Sequence, residues 1–231
     1  MFFDPLYLLF ALPGVLLSMW ASFRVRSAFA KYSQVPSSRG YTGAQAARRL
    51  LDDAGLHDVD IVEVAGQLSD HYDPSTRQLA LSSDVYRSHS IASVGVACHE
   101  AGHALQHATG YAPLGLRSAL VPTVGIGTNI GMLMMGIGLF LSPWVVLLGA
   151  ALFSMVLLFQ IVTLPVEFDA SNRAKRLVVE AGIIEPYERE GVDRVLNAAA
   201  LTYVAAVFST LMVLVYYLFR AGLLGGRSRD D

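Results

Sequence analysis

Three runs of this chain contain no Asp, Glu, Lys, Arg or His: residues 5–23, 118–166 and 195–219. A hydrocarbon core of roughly 30 Å needs about 20 apolar helical residues, so the outer runs each fit one membrane span and the middle run fits two. The expected spans are residues 5–23, 120–141, 144–165 and 198–218, with Ser142-Pro143 turning the middle pair into a helical hairpin. Buried helices of a soluble protein are the alternative, but such stretches usually fall short of 18 residues. The chain is 54% hydrophobic and 16% charged, against about 25% charged in soluble domains, which favours the membrane reading. The first run lacks a basic start and a small-residue cleavage site, so it reads as a retained anchor.

Basic residues accumulate on the cytoplasmic side of membrane proteins. Arg24, Arg26, Lys31, Arg39, Arg48 and Arg49 follow the first span, and Arg173, Lys175, Arg176, Arg189 and Arg194 lie between the last two. Both polar segments are therefore expected to face the cytoplasm, at a bacterial plasma membrane. Arg220, Arg227 and Arg229 in the tail oppose a four-span plan that leaves the C-terminus outside. A net charge of −2 supplies no basic field for nucleic acid. Cys98 is the only cysteine, so no disulfide forms within the chain, and its place beside His99 suits a small packing residue.

The expected organisation is an anchor over 1–23, a cytoplasmic segment over 24–117, a helical hairpin over 118–166, a second cytoplasmic segment over 167–197, and a last span with tail over 198–231. Residues 32–39 read as a linker. Thr42-Gly43-Ala44-Gln45 matches a capping box that starts a helix running to Ala54 and stopping at Gly55. Residues 59–64 and 78–81 look like strands, with a Pro-containing turn at Asp73-Pro74-Ser75-Thr76. An antiparallel β-ribbon is the economical expectation, and the strand at 78–81 could pair with an extended peptide. Ser90 caps a second helix that reaches Thr109. A further helix is expected over 168–181, ended by Gly182, and another begins at Pro186.

The second helix carries His99-Glu100-Ala101-Gly102-His103. Residues four apart in a helix share a face, so both imidazoles can reach one metal ion about 2.0–2.1 Å away. Glu100 lies one step round, where its carboxylate can take a proton from water rather than bind the metal. Two solvated surface histidines are the alternative. Their Ala-rich, weakly polar helix opposes it, because unpaired histidines would be costly to bury there. A catalytic zinc also needs a third protein ligand. His107 stands about 12 Å along the helix axis from His99, too far to share a metal with His103. Glu167, just past the third span, is the better candidate, with a boundary ion pair to Arg173 or Lys175 as its alternative.

These residues resemble the YugP-like family of bacterial membrane zinc metallopeptidases. The likeness rests on Thr42-Gly43-Ala44, Ser69-Asp70-His71-Tyr72-Asp73-Pro74, Leu81-Ser82, the histidine motif with Gln106, and Leu164-Pro165-Val166-Glu167-Phe168-Asp169-Ala170-Ser171. The resemblance implies Zn2+, hydrolysis of peptide bonds, and a gluzincin-like third glutamate that falls on Glu167. HtpX-type and prenyl-protein proteases are similar in plan but carry Glu-x-x-x-Asp, and this chain has Ser171 at that place. Asp169 or Asp73 could instead orient a ligand histidine.

The reading is a mostly α-helical integral membrane protein with about four spans and a small cytoplasmic gluzincin-like zinc peptidase domain that includes a short β-ribbon. His99, His103 and Glu167 hold zinc, Glu100 is the general base, and the substrate is a peptide or protein. His71, Tyr72 and Arg173 are candidate donors to the oxyanion of the attacked carbonyl. Gly125, Gly127, Gly131, Gly136 and Gly138 permit close helix approach, either within the chain or between copies in a homo-oligomer. A zinc-dependent membrane scaffold or chaperone that cleaves nothing is a competing class, disfavoured by Glu100. A site-2-type intramembrane protease would need an Asp-Gly pair, which the sequence lacks.

Overall fold

The computed structural model describes residues 4–66 and 68–224. In chain order, α1 (Pro5–Tyr32) and α2 (Gly43–Asp53) precede β1 (Asp60–Val64), β2 (His71–Asp73) and β3 (Gln78–Ser82). There follow α3 (Ser83–Arg87), α4 (Ile91–Ala108), α5 (Ala112–Ile126), α6 (Met132–Leu141), α7 (Pro143–Glu180) and α8 (Arg189–Arg220). A π-helical stretch, Gly127–Gly131, joins α5 to α6, and a 3-10 turn, Pro186–Glu188, leads into α8. Among the described residues the chain is mostly helical, and four helical stretches are long and apolar enough to cross a membrane: Pro5–Tyr32, Ala112–Leu141, Pro143–Glu180 and Pro186–Arg220. The tail arginines Arg227 and Arg229 lie outside the described residues.

Two compact units emerge, one made of residues 1–21, 116–164 and 202–231, the other of 22–115 and 165–201. In the first, Met135, Val146, Phe153 and Tyr216 form the buried cluster. Helices approach closely where side chains are smallest. A Cβ at Gly127 would lie 2.7 Å from the Leu152 carbonyl oxygen, and one at Gly138 would lie 2.6 Å from the Val146 nitrogen. These glycines, with Gly131 against Gly149, close the helical hairpin within the chain. Asp4 accepts the Leu6 amide at 2.9 Å and the Tyr216 hydroxyl at 2.8 Å, which ties the start of α1 to α8.

The second unit is built around α2 and α4. The capping box at Thr42 forms as its residues dictate: Thr42 Oγ1 accepts the Gln45 amide at 3.2 Å, and Gln45 Oε1 accepts the Thr42 amide at 3.0 Å. Ser90 Oγ likewise accepts the Ser93 amide at 3.2 Å and opens α4. Gly55, Gly110 and Gly182 follow their helices with positive φ, the backbone state that glycine adopts without a Cβ clash. Ala46, Ala47, Leu50 and Leu51 of α2 share one core with Val94, Ala97, Cys98 and Ala101 of α4 and with Ala174 and Val178 of α7. Cys98 is wholly enclosed there, and burial pushes its thiol pKa up.

Three expectations change. The sheet is three-stranded with order β1-β3-β2, β1 running parallel to β3 and β2 antiparallel to it. The turn at Asp73 joins β2 to β3, so the antiparallel partner of 78–82 is the short His71–Asp73 strand rather than 60–64. Hydroxyls of Ser75 and Thr76 hold the Asp73 carboxyl down to about 2. Since β3 is the central strand, it is already paired on both sides and is not the edge a peptide could join. Pro165, in turn, does not separate two helices: α7 runs through it from Pro143 to Glu180, joining the expected helices over 144–165 and 168–181. Proline removes one helical hydrogen bond. Beyond it Val166, Ala170, Ala174 and Val178, spaced by four, are all fully buried, and their packing keeps the helix continuous.

Candidate metal centre

The buried stripe on α7 brings it against the histidine face of α4. Gly102 makes this contact, because a Cβ there would stand 2.7 Å from the Ala170 carbonyl oxygen. Close approach places Glu167 opposite both histidines. His99 Nε2 lies 3.2 Å and His103 Nε2 3.6 Å from the same Glu167 Oε2, with side-chain exposures of 13%, 8% and 3% for His99, His103 and Glu167. The ligating atoms of all three residues lie within 4.8 Å of one another.

This arrangement fits zinc. Tetrahedral ligands about 2.0–2.2 Å from a centre stand roughly 3.4 Å apart, close to the two contacts just given. The field in the pocket also favours a cation. Burial opposes a charge on His103, yet the bond to Glu167 and the charges of Glu100 and Glu167 outweigh it and raise the pKa of His103. Each imidazole uses its other nitrogen on a neighbour: His99 Nδ1 lies 3.1 Å from Ser171 Oγ, and His103 Nδ1 lies 3.0 Å from Gln106 Oε1. Such outer partners orient metal-binding histidines. The burial of His103 removes the reading of the motif as a solvated surface helix.

The remaining site candidates occupy distinct places. Glu100 is buried at 8% exposure beside the ligands on α4. Asp169 reaches His103 only through Gln106, whose Nε2 donates to Asp169 Oδ2 at 2.9 Å, and Arg173 Nε donates to the same oxygen at 2.6 Å. Asp73 is engaged by its own turn. Tyr72 on β2 bonds through its hydroxyl to His107 Nδ1 at 2.9 Å, whereas His71 is exposed and its Nδ1 meets the Ser69 carbonyl at 2.8 Å. The two cations of the alternative ion pair bond elsewhere: Arg173 is on Asp169, and Lys175 Nζ bonds Asn197 Oδ1 at 2.6 Å. Gln106 enters the sequence reading only as part of the family likeness, with no role attached; its position three residues past His103, on a neighbouring face of the helix, is the local signal for its contact with the ring.

Comparison with known proteins agrees with this geometry. Residues 7–222 match the family model described as "Putative neutral zinc metallopeptidase". The chain is 46% identical over 226 residues to "Putative membrane protease YugP" of Bacillus subtilis (strain 168), covering 97% of this chain and 100% of that protein. No solved structure matches. With a family match over nearly its whole length and a gathered His99, His103 and Glu167 trio, the chain belongs to this family of neutral zinc metallopeptidases.

Proposed function

We propose that the protein is a multi-pass membrane zinc endopeptidase whose metal is held in gluzincin-like fashion by His99, His103 and Glu167, with Glu100 as general base. The observation that carries this reading is the convergence of two Nε2 atoms on one buried carboxylate oxygen of α7, with a second buried carboxylate, Glu100, on the helix of the histidines. When bound, zinc polarises a carbonyl and acidifies water. Glu100 accepts the proton of the attacking water and returns it to the leaving amine. Tyr72 is the oxyanion donor best supported by position, since its partner His107 follows His103 by one helical turn on the same face. β2 is the sheet edge that packs on α4, so an extended peptide that adds to the sheet would add there.

The distribution of Lys and Arg supports a site facing the cytoplasm at the plasma membrane. An epitope inserted at the exposed Gly40 turn should then resist protease added to sealed cells, and its digestion would reverse the orientation. The activity is tested with the purified full-length chain in detergent and a casein-like or unfolded membrane-protein substrate. A chelator should abolish cleavage and added zinc should restore it. Products that form equally in the chelated protein would remove the metallopeptidase reading.

A further inference from the structure

Gln106 is fully buried, and each of its polar atoms is committed. Its Nε2 donates to the Val166 carbonyl at 2.8 Å and to Asp169 Oδ2 at 2.9 Å, while its Oε1 lies 3.0 Å from His103 Nδ1. A carbonyl oxygen and a carboxylate only accept hydrogen bonds, so the amide nitrogen must face them. The flipped amide would set oxygen against two oxygens. Oε1 is therefore forced toward His103, and an amide oxygen also only accepts. The ring must carry a proton on Nδ1, which reserves Nε2 for whatever Glu167 faces.

The same side chain crosses to α7 at Val166, the residue before Glu167. One amide thus joins the ring of one ligand to the backbone that carries another. Arg173 secures the far end: its Nε holds Asp169 Oδ2, and its guanidinium lies 5.9 Å from the centre of the Tyr111 ring. His99 has no equivalent, because Ser171 presents a hydroxyl that can donate or accept. We propose that Gln106 is a positioning residue of the metal site, which fixes the His103 ring and the placement of Glu167 together through the fixed polarity of its amide. The inference rests on the metallopeptidase reading and concerns metal capture rather than the chemical step.

The test uses the full-length chain in detergent, zinc affinity by chelator competition, and the visible spectrum of the Co2+-substituted protein. Gln106→Met should weaken zinc binding by about 10–100-fold, the usual effect of losing an outer partner, and should alter the Co2+ spectrum. Gln106→Glu should lose affinity as well, since its carboxylate would face Asp169 and the Val166 carbonyl. The unfolding midpoint of the metal-free chain is measured beside the affinity. A purely structural role would lower that midpoint and leave the Co2+ spectrum of the folded, metal-loaded variant unchanged, whereas the positioning role changes the spectrum. Wild-type affinity and spectrum in Gln106→Met would overturn the proposal, and if Gln106→Met fails to fold, wild-type affinity and spectrum in Gln106→Glu would overturn it instead. A wild-type chain that takes up no zinc would overturn both this inference and the reading beneath it.

Discussion

Glu100→Gln is expected to slow peptide hydrolysis by about 10²–10⁴-fold, the range lost with a general base, while zinc stays bound. The substitution preserves shape, so the enclosed position on α4 remains filled. What disappears is a site that can accept a proton. The charge of Glu100 also acts on His103, where it helps raise the pKa. Its removal should therefore weaken metal binding slightly, and rates must be compared at saturating zinc. Initial rates and zinc content measured on the same preparations separate the effects. Equal turnover in the zinc-loaded variant would take Glu100 out of the mechanism. A zinc-dependent scaffold predicts no zinc-dependent cleavage in either protein.

Glu167→Gln should weaken zinc binding by more than the roughly 10–100-fold typical of outer partners, because it replaces the proposed third ligand. Glu167 is 3% exposed, and its Oε2 meets both histidines. A neutral amide keeps the volume in the seam between α4 and α7, so the loss reports ligand chemistry rather than a cavity. Asp169 is already engaged by Gln106 and Arg173 and is not free to replace it. Unchanged affinity by chelator competition would move the third ligand elsewhere.

The helices able to span a membrane were legible because charge is expensive in hydrocarbon, and its absence over 5–23, 118–166 and 195–219 marks them directly. Helix starts at Thr42 and Ser90 were legible because capping is local chemistry within four residues. The gathering of His99 and His103 follows from helical spacing, and Glu167 was reachable from its place after a hairpin. The sheet was less legible. β2 is only His71-Tyr72-Asp73, too short to show alternation, and its pairing decides which strand lies in the centre. The helices expected over 144–165 and 168–181 are one, since the local preference of Pro165 for a helix boundary is overridden by the buried stripe from Val166 to Val178. The partners of the histidines, Ser171 and Gln106, depend on how α4 and α7 meet at Gly102, which no local pattern encodes.

X-ray absorption at the zinc edge tests the metal centre most directly, on the zinc-loaded full-length chain beside Glu167→Gln. The wild type should show nitrogen and oxygen neighbours at about 2.0–2.2 Å with the scattering pattern of two imidazoles, and the variant should lose occupancy or one light neighbour. A sulfur neighbour at about 2.3 Å, which Cys98 alone among cysteines could supply, or an unchanged spectrum in the variant, would contradict a centre built from His99, His103 and Glu167.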